Sequence, residues 1–397
     1  MTGLLIFKNL KFKPAHTILS IVLLALGTGI ISILLLIQQQ VQSKLNNDLE
    51  GIDLVIGAKG SPLQLILSAV YQIDAPTGNI SLAEANKISK HPLIAQTIPL
   101  AYGDSFKGFR IVGTTNNYLS KYKATVAKGT LHTKTFEVVI GSEVAKSTKL
   151  SIGESFISTH GFSNQSEDHH QTQQYTVKGI LNTTNSVLDH LIITSLESIW
   201  KIHETENHDA HEHEQAEQSI TALLVTYRSK IAMMLLPRQI NETTNLQAAT
   251  PLIEINRLTN LMGIGIETIK SIAIAIIAVS GLSIFISLYS RLQERKYELA
   301  IMRSLGASKW WLASTTLLES VVICIIGYVV GIILSRLGLW LLHNYSIQNY
   351  HVSFHQLYLT TNEMVLLLLT LLIGIVSAII PAIQTASISI SKTLSHA

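Results

Sequence analysis

The chain has 397 residues, 47% of them hydrophobic and only 14% charged, with a formal net charge of +3 and a mean hydropathy of +0.35. Ordinary soluble domains carry about a quarter charged residues, so this composition argues against a wholly soluble protein and for membrane spans. The net charge decides nothing about partners, since the basic residues are largely spent on topology; no basic stripe is interleaved with aromatics, so nucleic acid is not expected, and a single cysteine, Cys324, leaves no disulfide framework.

Lys8, Lys11 and Lys13 precede a first apolar run at residues 16–37, HTILSIVLLALGTGIISILLLI. It is close to the roughly 20 residues that an α-helix needs to cross a bilayer. Its core is too long for a signal peptide, and QQQVQSK follows it in place of a small-residue cleavage site, so it reads as an uncleaved anchor. Ile37, Val41, Leu45 and Leu49 recur every four residues, which predicts that the helix continues outward as an amphipathic stalk.

GAKGSP, residues 57–62, has the look of a phosphate loop but lacks the Gly-Lys-Ser/Thr ending, and reads as a Gly-rich turn after a strand. SLAEANKISKH sets Ser81 and Glu84 at capping-box spacing and predicts a helix start. GFRIVGT, FEVVIGS, ESFIST, QYTVKGIL, HLIITSL and ITALLVTY are short strand-like runs separated by Gly- and Asn-rich turns. An α+β domain over residues 41–263 follows, long enough to hold a core of its own. Behind Pro251, Ile255, Leu258 and Met262 form a second apolar stripe, and the two stripes are expected to pair.

Three further runs, at residues 271–289, 312 to about 334 and 364 to about 383, are long enough to span. Arg291, Arg295, Lys296, Arg303 and Lys309 lie between the first two of these, and residues 343–362 hold neither Lys nor Arg. Basic residues stay on the cytoplasmic side, so both termini and the 291–309 loop are expected there. The 41–263 segment and the 343–362 loop are expected outside. Residues 1–40 are then a cytoplasmic N-terminus with the first span, 41–263 an extracytoplasmic domain with stalks, and 264–397 a three-span region. The fold class is an α+β membrane protein with four transmembrane helices.

QERKYELAIMRSLGASKWW, between the second and third spans, reads as a short amphipathic helix. Tyr297, Ile301 and Leu305 make one stripe, extended by Met302; Glu294, Arg295, Glu298 and Arg303 flank it, and Gly306 ends the helix. It is too short to fold alone, so it lies on headgroups or docks into another protein. Gly327 and Gly331, extended by Ser335, and Gly374 with Ala378 are small-residue pairs that let helices approach closely, within the chain or between chains. Glu319 stands one to two turns into the third span, where a carboxylate needs a partner or the interface; a structural hydrogen bond, snorkelling and a part in transmitting motion are all open.

ERKYELAIMRSLGASKWWL resembles the segment joining the last spans of the MacB/FtsX-like ABC permease superfamily, where it forms the coupling helix seated in the ATPase subunit. Glu319 in LLESVVICIIGYVVG is placed like that family's acidic residue early in the next span. IIPAIQTASISIS resembles its closing span, and EVVIGSEVAKSTKLSIGESF its outer domain; Ser389 to Ser391 depart from its usual Ala-x-x-Pro ending. The resemblance runs the length of the chain.

It implies a four-span permease subunit of a bacterial inner membrane, two copies of which pair with two copies of a separate ATPase that holds ATP and Mg. ATP-driven motion would pass through the stalks to the outer domain, for export or extraction of a lipidated, peptide or amphipathic cargo. The coupling residues carried over are Glu294, Arg295, Lys296, Glu298, Arg303, Leu305, Gly306, Ala307 and Ser308, in a helix at about 291–309. The chain has no Walker motif, metalloprotease helix or Ser/His/Asp pattern, so no enzyme activity of its own is expected. Two other functions stay open: a non-transporting regulator of an extracytoplasmic hydrolase with this architecture, and a metal-binding receptor without an ATPase.

All fifteen histidines except His16 and His396 fall on the expected outer side. HETENHDAHEHE holds His203, His208, His211 and His213 among acids, EDHH holds His169 and His170, and His351 and His355 are four apart. Neutral imidazoles with carboxylates suit Zn²⁺. A mobile tract that collects or senses zinc, a solvated loop of biased composition, and pH sensing are the three readings.

Overall fold

The computed structural model describes residues 14–159, 169–206, 218–350 and 359–388. It divides into two compact units, residues 42–261 and residues 1–41 with 262–397.

In the first unit a mixed sheet carries the core. The strands of this unit, in chain order, are β1 (Leu54–Ala58), β2 (Ile80–Ser81), β3 (Ile94–Phe106), β4 (Phe109–Thr114), β5 (Val126–Gly129), β6 (Glu137–Ile140), β7 (Ser155–Thr159), β8 (His169–Leu181), β9 (Leu191–Thr194), β10 (Ser219–Ile220), β11 (Ala222–Tyr227) and β12 (Leu246–Ala249). The main path runs β12-β1-β11-β3-β4-β9-β6-β8-β5, with β7 pairing β3 and β8; β10 and β2 form a separate pair. Pairings are antiparallel except β4 with β9 and β6 with β8. β4, β9 and most of β1 and β11 are buried along their length, as continuous rather than alternating apolar runs. Strands covered on both faces read this way.

The strand-like runs all lie on strands, and Ser81 caps the helix that follows it, Leu82–Ser89, by accepting from the Ala83 N–H. Missing from the sequence reading is β3, the long central strand. Pro99 lies within it, and Pro cannot donate to a ladder. Here Pro99 faces Leu223 of β11, and pairing to β4 begins only at Leu100. The Thr114 hydroxyl donates to the Pro99 carbonyl. GAKGSP is the end of β1, a bend, and a helix at Pro62–Ala69 whose N-cap is Ser61.

The long helices are α1 (Pro14–Leu49) and α8 (Pro251–Glu294), numbered with the helices of the domain between them; the last of these is α7 (Ala232–Thr243). Leu45 and Leu49 of α1 and Ile255 and Leu258 of α8 pack into one cluster with Ile66, Tyr118, Leu188 and Leu224, so these residues of the two stripes are absorbed by the domain core.

The second unit is helical: the first part of α1, the later part of α8, then α9 (Lys296–Ser304), α10 (Lys309–Tyr350) and α11 (Thr361–Ala386). α1, α8, α10 and α11 are each long and apolar enough to cross a membrane. Leu24, Ile277, Ile323, Cys324, Tyr328, Leu366 and Ala378 form its core, while many Leu, Ile and Val side chains remain exposed, as on lipid-facing helices.

Candidate functional site

The segment between α8 and α10 is built by its own caps. Arg295 leaves the helical region (φ −100°, ψ 13°) and separates α8 from α9, and its Nε donates to Glu298 Oε2 at 2.8 Å. At the other end Gly306 takes φ +100°, where a side chain would be strained. Gly306 N–H donates to Arg303 O and Ala307 N–H to Met302 O, the paired bonds of a Schellman stop. Ser308 then caps α10, accepting from the Trp311 N–H at 3.1 Å. Leu-Gly-Ala-Ser is thus a stop followed at once by a start.

One face of α9 is held by the chain. Ala300 is buried with Leu292 and Ile388, Leu299 packs on them, and the Arg303 guanidinium donates to the Ile388 carbonyl. The predicted stripe is the opposite face: Tyr297 and Ile301 are exposed, and Leu305 and Trp310 are 81% and 85% exposed. Behind the helix is a hollow of about 40 Å³, lined in part by Arg291, Arg295, Met302, Trp311 and Glu319. There Arg291, only 4% exposed, pairs with Glu319 at 3.7 Å and donates to the Ser287 hydroxyl at 3.0 Å. The intramembrane acid therefore has its counter-ion on α8.

Gly331 and Gly327 face α1. A Cβ on Gly331 would fall on the Thr28 hydroxyl and lie 2.9 Å from the Ala25 carbonyl, and one on Gly327 would meet Leu24. Ser335 extends the same face, hydrogen-bonding Ser32 at 2.9 Å. Gly374 packs on Cys324, with its carbonyl accepting from the Ser320 hydroxyl at 2.7 Å; Ala378 is fully buried.

Sequence reasoning missed a polar cluster at the other end of α10. Glu363 is fully buried, accepting from Ser32 Oγ at 2.6 Å and pairing with Arg336 at 2.9 Å. The Thr360 N–H and hydroxyl also donate to it, completing a capping box, and Tyr328 OH donates to its carbonyl. The Thr-x-x-Glu spacing ahead of an apolar run was the signal available. The cluster joins α1, α10 and α11.

His208, His211, His213, His351 and His355 lie outside the described residues. His169 and His170 open β8, and His203 is on the helix Leu196–Glu206. Among the described residues no three His, Cys, Asp or Glu side chains gather as a metal site. A hollow of about 550 Å³ in the outer domain is lined by Lys134, Glu137, Gln174 and Lys178 among others. Backbone donors from Thr133 and Lys134, with Lys178 beside them, hold the Glu137 carboxyl at about 2.

The family described as MacB-like periplasmic core domain matches residues 17–242, and the one described as FtsX-like permease C-terminal matches residues 270–390. Among solved structures the chain is similar to the periplasmic region of MacB from Actinobacillus actinomycetemcomitans, at 14% identity over 55% of this chain and 98% of that one, with a TM-score of 0.35. It is similar also to the extracellular domain of the ABC-type transporter YknZ from Gram-positive bacteria, at 14% identity over 50% of this chain and 99% of that one, with a TM-score of 0.30. No curated protein matches it.

Proposed function

We propose a function from the premise that the chain belongs to the MacB/FtsX-like permease family: it is the membrane subunit of an ABC complex, coupling a separate ATPase to movement of its outer domain. The permease-type role follows from the family; the coupling route is our reading. The observation that supports it is the capped helix α9, whose Tyr297, Ile301 and Leu305 stripe is turned away from its own chain. An exposed apolar stripe on a helix fixed at both ends suits insertion into a groove of a partner. The buried Arg291–Glu319 pair behind it ties the end of α8 to the start of α10, so a push on α9 would reach both spans. In this reading α9 and both termini are cytoplasmic, two copies pair in the membrane, and the cargo is a lipidated, peptide or amphipathic molecule.

The test is purification of the solubilised chain from its native membrane, with and without Glu298→Arg and Leu305→Asp. Both residues are exposed, and an exposed ion pair contributes at most about 1 kcal/mol, so the variants should stay folded. The expected result is an ATPase that copurifies with the wild type and is lost from the variants. An ATPase retained at full yield by both variants would sink the assignment of α9. Zinc handling by the 203–214 tract is supported by composition only; unchanged zinc binding after its deletion would remove it.

A further inference from the structure

The last turn of α1 ends inside the 42–261 domain and takes a carboxyl with it. Asp48 is 1% exposed, next to Leu45 and Leu49, which pack with Tyr71, Tyr118 and Leu188. The domain closes the carbonyls that end the helix. Tyr71 OH donates to Leu45 O at 3.1 Å, Tyr122 OH donates to Asp48 O at 3.2 Å, and Lys121 Nζ donates to the same carbonyl at 3.4 Å. Asp48 Oδ1 accepts from the Val187 N–H at 3.1 Å, where the turn Val187–His190 begins. Among the described residues nothing donates to Oδ2, which is buried as well.

These surroundings favour the neutral acid. A carboxylate at Asp48 stands at the negative end of the α1 dipole, out of water and with one oxygen unbonded. Asp189 opposes a second negative charge there and is the better satisfied of the two: Thr184 donates to its Oδ1 through both N–H and hydroxyl, and the Asn185 N–H donates to its Oδ2. Lys44 on α1 and Lys121 on the helix Asn116–Lys121 pull the other way. The outcome of burial and these charges is a carboxyl pushed up to about 6. Tyr71, Tyr118 and Tyr122 also surround it, and burial pushes their hydroxyls up, so they stay neutral. Lys121 is pushed down by burial to about 8 and stays cationic at pH 7. His190, at the end of the same turn, belongs to the residue type that changes charge near neutrality.

We propose that Asp48 is a proton-binding site that latches α1 to the domain: the neutral acid keeps the last turn seated, and loss of the proton to solvent opens the joint locally, freeing the Val187 N–H and carrying the carboxylate into water. A charge that cannot be satisfied where it is buried is relieved by moving it out. The opening is local because only the last turn has to leave the cluster. Since α1 also carries a span, the latch makes the domain's hold on that helix depend on acidity. The inference rests on the domain alone and not on the ATPase reading.

The test is hydrogen exchange of the full chain in detergent at pH 5, 6 and 7.5, with each rate divided by the intrinsic rate at that pH. Peptides covering residues 42–50 and 184–190 report the joint, and β11 reports the core of the same domain. The joint should exchange faster than β11 at pH 7.5, by about tenfold or more. Its protection should fall about tenfold between pH 5 and 7.5, the ratio for a carboxyl at about 6 when seated and 3.8 when released. Asp48→Asn keeps an acceptor for Val187 without the charge and should show the same protection at all three pH values. Joint peptides that exchange in step with β11 overturn the proposal, because the joint then opens only with the whole domain. A wild-type profile flat with pH overturns it too, whether or not the Asn variant folds. A fall with pH that persists in Asp48→Asn would assign the titration to another group, His190 first, and overturn it as well.

Discussion

Asp48, in the last turn of α1, is the residue whose burial has the clearest consequence for pH. Its Oδ1 accepts from the Val187 N–H at 3.1 Å, and Tyr122 OH and Lys121 Nζ donate to its carbonyl. Burial raises its carboxyl from the ordinary 3.8 to about 6, against opposing pulls from Lys44 and Lys121. With the folded value raised, the folded state holds a proton between about pH 4 and 6 that the unfolded chain releases. Stability therefore falls as pH rises through that window, by up to about 3 kcal/mol. Asp48→Asn keeps the acceptor for Val187 and removes the charge. It should flatten the Asp48 part of the melting temperature's dependence between pH 4.5 and 7 and raise stability at pH 7. A variant that melts with the wild-type pH slope would show the carboxyl is not titrating there. The Arg291–Glu319 pair makes a second residue-scale case. Removing one partner of a buried pair costs about 3–5 kcal/mol, so Arg291→Gln and Glu319→Gln should each lower thermal stability in detergent. The double variant should lose less than the sum of the two.

At the scale of elements, the close approach of α10 to α1 depends on which glycine is filled. At Gly331 an added Cβ meets backbone atoms, 2.9 Å from the Ala25 carbonyl and 3.2 Å from the Gly29 nitrogen. At Gly327 it meets the side chain of Leu24, which can turn aside. Gly331→Ala should therefore destabilise by about 1–3 kcal/mol and Gly327→Ala by less, read as melting temperatures of the purified chain. The reverse order would mean that α10 and α1 are not packed along this face. α9 works by a different logic: its caps set its length, and Ala300 and Arg303 seat it. Its Tyr297, Ile301 and Leu305 face is exposed and takes no part in that seating.

For the whole molecule, α10 is tied to its neighbours by ion pairs at two levels along its length. Glu319 and Arg336 are 17 residues apart, about 25 Å along a helix. Glu319 is tied to α8 beside α9, and Arg336 is tied through Glu363 to α11, with Ser32 of α1 on the same carboxylate. Glu363→Ala would strip Arg336, Ser32 and Thr360 of a common acceptor. It should cost more than about 2 kcal/mol of stability while leaving copurification of an ATPase intact, since α9 is untouched. Loss of the ATPase without loss of stability would place the two ends of α10 in one coupled switch and contradict their separation here.

The four spans, the strand-rich segment between the first two, and the α9 helix with its Gly306 stop were legible in the sequence. Each rests on local chemistry: unbroken apolar length, short apolar runs between turns, and a helix bounded by glycine. The MacB/FtsX-like family was legible for the same reason, through motifs contiguous in the chain. What only the tertiary structure decided are the pairings between distant residues. Nothing near Glu319 in the sequence names Arg291, nothing near Glu363 names Ser32, and β3 is hidden by Pro99 until β11 and β4 take up its backbone. The exposed apolar face of α7 is the same case. Ile231, Met234 and Leu235 cannot be told from core residues by composition, and only the burial of Ala232, Leu236 and Ile240 on the other side leaves them outside. Periodicity identifies the faces of a helix, and the rest of the chain determines which face it covers.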